Sequence, residues 1–284
     1  MDGKMNKKLK MTGFTIVELL TVIAVLAILV GVLMPALNQA KKMARQTKQK
    51  AQLHSIDIGL NVYKNDQGSY PRSHGYYSGN DYYYDYCGAQ TLNEALFGQD
   101  LLGFHPDSEY DYSDPGNLYE PSTLDSRKGP YLERENISVF KPGDMYSDCS
   151  TLEHDKFLIC DVFTYNKTSS GEKCGKPVLY FRANTSATNA ALVPNVGQNY
   201  ENIYDYTDNM PIIDVDYANN DITDNKFDDD GSGELFYTYI TDKKIFDSSG
   251  IRRPVRPDTF LLISAGYDGL YGTADDICNF EPNF

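Results

Sequence analysis

The sequence predicts an α+β protein hung on one long N-terminal helix, and three observations lead there. An almost wholly apolar run covers Phe14 to Leu37, and a helical pattern continues from Asn38 to Tyr63. The remainder of the 284-residue chain sets short apolar runs between turns rich in Gly, Pro, Asp and Ser. The expected organisation is a leader at 1–13, a transmembrane half of the helix at 14–37, an extended soluble half at 38–66 and an exported globular domain at 67–284.

The apolar run is broken only by Thr15, Glu18, Thr21 and the late Pro35. Its length as a helix, about 36 Å at 1.5 Å per residue, exceeds the roughly 30 Å of a bilayer core. A secretory signal peptide would be shorter and end in a small-residue cleavage site, whereas this run passes straight into a helical pattern. A plain anchor gives no reason for Glu18, because a mid-bilayer carboxylate costs about 2.5 to 3.5 kcal/mol on insertion scales and calls for a partner. Lys4, Lys7, Lys8 and Lys10 before the run place the N-terminus in the cytoplasm; the five basic residues between Lys41 and Lys50 oppose that vote.

Beyond Leu37, the residues Ala40, Ala44, Thr47, Ala51, Ser55, Ile58 and Val62 recur at steps of three and four and form a narrow small-residue face. Leu53, Ile56, Leu60 and Tyr63 form a second, apolar stripe suited to packing a globular body. Gly31 and Pro35 are expected bending points.

Charge is strongly partitioned. The formal net charge is -14, but from Ala51 onward 17 Lys and Arg face 38 Asp and Glu, a balance of -21. So acidic a body argues against nucleic-acid binding, which draws its affinity from Lys and Arg on phosphates. The histidines, His54, His74, His105 and His154, show no ligand or triad spacing, and no nucleophile-elbow, zincin or phosphate-loop motif occurs. The sequence therefore does not read as an enzyme. Cys87, Cys149, Cys160, Cys174 and Cys278 lack paired C-x-x-C spacing. In an exported body they imply one or two disulfides, with Cys160 and Cys174 the nearest pair, or else buried free thiols.

In the body, Leu92 to Leu102 is expected as a short helix. Phe157–Tyr165 and Val178–Arg182 are expected as an antiparallel pair of strands, with Leu235–Ile240 and Thr259–Ser264 as further strands. Residues 107–128 and 183–230 read as loop-rich insertions. The tyrosines at 76, 77, 82, 83, 84 and 86 suit a recognition surface, an edge strand or an ordered loop. Asp228 to Glu234 shares part of an EF-hand pattern, but with Lys226 and Tyr237 at its first and twelfth positions the pattern fails.

Gly13-Phe14-Thr15-Ile16-Val17-Glu18-Leu19-Leu20, after its short basic leader, is similar to the processing signal of type IV prepilins and type II secretion pseudopilins. The resemblance implies a pilin-like fold, with the long transmembrane and assembly helix packed on an antiparallel β-sheet. It implies cleavage by prepilin peptidase between Gly13 and Phe14, with methylation of the new amino terminus to N-methylphenylalanine. Glu18 is then the fifth mature residue. Its carboxylate meets the terminal amine of a neighbouring subunit, and each relieves the other's desolvation. Implied partners are identical and related pilin-like subunits, the peptidase and an inner-membrane assembly platform. The implied location is the inner membrane, single pass, with the body periplasmic or extracellular.

Asp66-Gln67-Gly68-Ser69-Tyr70-Pro71 also resembles the turn that closes the long helix in major pseudopilins. Gly175 to Asn184 resembles a sheet strand of large prepilin-like proteins. The ending, Ser264 to Asp276, resembles their C-terminal calcium loop, which implies Asp268, Asp275 and Asp276 as ligands with carbonyls near Leu270 and Gly272. The alternative is that these acids cap their own turn. The whole implies a pseudopilus subunit, with a type IV pilin or a minor tip subunit or adhesin as the alternative.

Overall fold

The computed structural model describes residues 15–73, 86–110, 125–147, 149, 152–187, 202–220, 227 and 233–284. Helix α1 covers Ile16–Gln67. The chain divides into two compact units, residues 1–44 and 45–284.

In the first unit, α1 is apolar from Ile16 to Leu37 but for Glu18 and Thr21, and all of its side chains from Ile16 to Ala40 are exposed. This is the composition of a helix whose solvent is lipid or other helices. It is the one helix among the described residues that is long and apolar enough to cross a membrane.

In the second unit, the core forms around a three-stranded antiparallel sheet. Strands β5 (Leu179–Arg182), β6 (Phe260–Ser264) and β7 (Ile277–Cys278) lie in the order β5-β6-β7. Tyr180 is opposite Leu262, and Ile263 faces both Leu179 and Cys278. Successive side chains of a strand point to opposite faces, and here both faces are covered. Val178, Tyr180, Phe260 and Leu262 share one apolar cluster with Leu53, Ile56 and Leu60 of α1 and with Leu92 and Leu96. Leu179, Phe181, Leu261 and Ile263 point into another cluster, with Ile212, Ile213, Phe236 and Ile240. Burial on both faces explains why these strands read as continuous apolar runs.

Helix α2 (Gly88–Phe97) presses its first turn onto β5. A Cβ at Gly88 would stand 2.2 Å from the Tyr180 carbonyl oxygen. The buried Asn209 bridges the same contact, accepting from the Ala89 amide at 2.8 Å and donating to the Tyr180 carbonyl at 2.7 Å. Two buried glutamines of α1 join the helix to a strand end: Gln52 donates to the Cys160 carbonyl at 2.9 Å, and Gln49 accepts from the Val162 amide at 2.9 Å.

Several expectations are corrected. The short helix begins and ends earlier than 92–102. Its end is set by Gly98, which is held at φ 82 and donates to the Glu94 carbonyl. Leu235–Ile240 is no strand: Glu234–Tyr239 forms helix α5. A short aromatic run fits either period, and the helix places Phe236 against Phe181 and Phe227, with ring centroids 4.7 and 5.4 Å apart.

The expected pair 157–165 and 178–182 is real only in part. Strand β2 (Leu158–Cys160) pairs with β1 (Ser138–Phe140), and it meets the β5 end through the antiparallel bridge Cys160–Pro177. Between them a small hairpin is formed by β3 (Asn166–Lys167) and β4 (Lys173–Cys174). Of the remaining helices, α3 covers Pro142–Met145 and α6 covers Lys243–Ser249. Within 183–230 lies α4, Met210–Asn220, so that insertion is not all loop. None of the five cysteines forms a disulfide. Cys87, Cys160 and Cys174 are buried in the apolar cluster as small core residues. The tyrosines from 76 to 84 and the acidic run 228–230 lie outside the described residues.

Candidate functional site

Two regions carry the predicted chemistry, one in each unit. Gly13 and Phe14 lie outside the described residues. Glu18 lies in the first turn of α1 with an exposed side chain, and its backbone is helical. Its Oε2 accepts from the Thr15 amide at 2.9 Å and from Thr15 Oγ1 at 2.7 Å, while the Glu18 amide donates to Thr15 Oγ1 at 3.2 Å. This reciprocal exchange is a capping box, in which two orphan amides of the helix start are satisfied by side chains. The Thr-x-x-Glu spacing that signals it was present in the sequence. Glu18 therefore has a local structural role in the isolated chain, and its carboxylate stays accessible.

The small-residue face of the helix is exposed in the second unit as well: Ala51, Ser55, Ile58 and Val62 all reach the surface, with Ile58 52% exposed. The opposite stripe, Leu53, Ile56, Leu60 and Tyr63, is buried. One face of the helix thus holds the body, and another is open to a partner.

The second region is the C-terminal loop between β6 and β7. Gly266 at φ 66 starts it, and a Cβ there would stand 2.2 Å from the Asp275 carbonyl oxygen, so the loop closes on a glycine. Asp275 Oδ2 accepts from the amides of Tyr267 at 2.6 Å and Asp268 at 2.9 Å. Thr273 Oγ1 donates between Asp268 Oδ2 and Asp275 Oδ1, at 2.8 and 2.9 Å. The two carboxyls are thus joined through one hydroxyl. Partial burial, and next the neighbouring Asp275, raise Asp268, whereas Asp275, against the pull of burial, is lowered by Asp268 and the loop bonds it accepts.

Asp276 faces inward instead. Its Oδ2 accepts from Tyr239 Oη at 2.6 Å and the Gly272 amide at 2.8 Å, its Oδ1 is buried without a hydrogen-bond partner, and burial pushes its carboxyl up to about 8.

Among the described residues, no three His, Cys, Asp or Glu side chains gather in a metal-holding group. The structure thus brings Asp268 and Asp275 together and sets Asp276 apart, against Tyr239, whose hydroxyl also lies 3.1 Å from Cys278 Sγ. The neighbouring carboxyls of Asp268 and Asp275 are hard oxygen donors, the type that an ion such as calcium takes. Asp268, Asp275 and the carbonyls of Leu270 and Gly272 would hold it, and Asp276 would buttress the loop. Bound there, the ion would tie the loop shut.

A long apolar N-terminal helix joined to an antiparallel α+β body is the arrangement of a pilin-like fold. Comparison with known proteins gives that class particular relatives. A stretch of 67 residues is 36% identical to type II secretion system core protein G of Vibrio cholerae, covering 24% of this chain and 46% of that protein. Another, of 65 residues, is 34% identical to the core protein G of Aeromonas hydrophila, over 23% and 46% of the two chains. The type IV wide pilus major component PilA4 of Thermus thermophilus is 45% identical over 58 residues, 20% of this chain and 44% of its own. The chain spans less than half the length of these curated relatives. No family model matches the chain, and no solved structure does.

Proposed function

We propose that this chain is a structural, non-enzymatic subunit of a helix-cored filament, a type II secretion pseudopilus of the major-pseudopilin kind. The observation that carries the reading is α1 itself, with an apolar membrane-length segment, a buried stripe that holds the body and an exposed small-residue face. Such a face lets helices approach closely, as small residues do wherever helices pack in lipid. The likeness to core protein G supports the secretion reading. The likeness to a wide-pilus major component supports a surface pilus as the second reading, with a minor tip subunit or adhesin as its variant.

In this proposal residues 1–13 are a leader removed by prepilin peptidase after Gly13, and Phe14 becomes the methylated amino terminus. Residues 14–37 cross the inner membrane with the N-terminus cytoplasmic, residues 38–66 are the extended half of the helix, and residues 67–284 form the body outside. The assembly platform and other pilin-like subunits are its partners. Glu18 draws the terminal amine of the next subunit and selects axial register.

Because Glu18 also caps α1, its test needs two variants. Glu18→Gln keeps a side chain able to accept the Thr15 amide, whereas Thr15→Ala removes the hydroxyl half of the cap and keeps the acid. Loss of filament in Glu18→Gln, with normal membrane insertion and with assembly intact in Thr15→Ala, is the expected pattern. Normal filaments from Glu18→Gln would sink the register role. A mature first residue other than Phe14, read by mass spectrometry, would sink the processing.

A further inference from the structure

Residues 86–110 form a closed segment whose two ends meet on one buried carboxylate. Glu94, in α2, is 3% exposed. Its Oε2 accepts from Tyr86 Oη at 2.6 Å, and its Oε1 accepts from the Tyr110 amide at 2.7 Å and Gln99 Nε2 at 3.1 Å. The rings of Tyr86 and Tyr110 stack over this junction, with centroids 4.2 Å apart and planes 16° from parallel. Neither the apolar core nor the filament reading requires an acid at this point.

The charged and titratable groups around Glu94 come from four directions. Glu109 faces it and is itself held by Arg72 through two hydrogen bonds, at 2.5 and 3.1 Å. Tyr63 of α1 and the half-buried Lys156 also feel its charge, and Lys156 lies 5.7 Å over the Tyr110 ring. Glu153 accepts from Tyr110 Oη at 3.1 Å.

The donors decide where a proton can sit. The Tyr110 amide and the Gln99 amide nitrogen only donate, so Oε1 must stay an acceptor. Tyr86 Oη can donate or accept, so a proton on Oε2 reverses that bond without breaking it. Neutral Glu94 thus satisfies all three partners. Ionised Glu94 also keeps them, but as a charge in a site closed to water beside the like charge of Glu109.

We propose that Glu94 is a proton-operated latch, which in its neutral form holds the Tyr86–Tyr110 pair closed and on ionising releases the 86–110 segment toward solvent. Burial first, then the charge of Glu109, pushes the Glu94 carboxyl up to about 7 against the bonds it accepts. A folded value above the ordinary one means that the closed state binds the extra proton, so closure is strongest in acid and weakens as pH rises to about 7. From an ordinary value of 4.5 and a folded value of about 7, the opening equilibrium should rise about 40-fold between pH 5 and pH 7 and flatten above it.

The test is amide exchange read by mass spectrometry on the full chain in detergent, corrected for intrinsic rates, with the β5 and β6 peptides as reference. In the wild type, opening of peptides within 86–110 should climb with pH as stated. In Glu94→Gln, a neutral isostere, it should be flat. Tyr86→Phe keeps the acid but loses one bond to its charged form, so its climb should continue to higher pH. A wild type without the climb, or a Glu94→Gln that retains it, overturns the latch. Should Glu94→Gln not fold, a Tyr86→Phe profile identical to the wild type overturns it equally.

Discussion

Replacing Asp161 by Asn should make the protein lose less stability as pH rises. Asp161 is 2% exposed. Its Oδ1 accepts from the amides of Phe163 at 3.0 Å and Lys176 at 3.1 Å, and its Oδ2 accepts from Ser264 Oγ at 3.1 Å. Burial outweighs these bonds and pushes the carboxyl up to about 7. The folded state therefore holds a proton that the unfolded chain gives up near its ordinary value of about 4. The site's contribution is intact below that value and is lost as pH climbs through 7.

Three pH units at about 1.4 kcal/mol each put the loss at about 4 kcal/mol between pH 4 and pH 8. Asparagine keeps the two backbone bonds through its oxygen, and its amide can donate to Ser264, whose hydroxyl also accepts. Denaturant unfolding of the full chain in detergent, followed across that range for both proteins, should show the variant gaining on the wild type by this amount as pH rises. Parallel curves would refute the reasoning.

Leu60→Ala, at a fully buried position facing the sheet, should cost about 2 to 5 kcal/mol in the same denaturation assay, as large-to-small core changes do. Gly88→Ala should cost more than about 1 kcal/mol, because the added methyl meets the Tyr180 carbonyl 2.2 Å away and α2 must back off the strand. Calcium should raise the thermal midpoint of the chain in detergent and a chelator should lower it, with Asp268→Asn blind to both; an unchanged wild-type midpoint would remove calcium from the C-terminal loop.

The membrane-length helix, its buried stripe and its small-residue face were all legible in the sequence, because a helix presents its pattern at a fixed local period. The β6 strand was legible too, since Phe260 to Ser264 is a short apolar run between turns. The C-terminal loop was visible as a glycine and aspartate pattern, but the pattern alone made Asp276 equal to Asp268 and Asp275. Which way each carboxylate turns depends on Tyr239, 37 positions distant, and no local spacing records that.

By itself the sequence determined what is local and periodic: one long helix, its acidic body and its turns. Tertiary structure alone decided what depends on distant partners. It made Glu234–Tyr239 helical by offering Phe236 an aromatic pocket, buried the thiols of Cys87, Cys160 and Cys174 in the core, and closed water away from Glu94 and Asp161. Burial is a property of what surrounds a residue after folding, and so the protonation of these carboxyls could not be read from their neighbours in the chain.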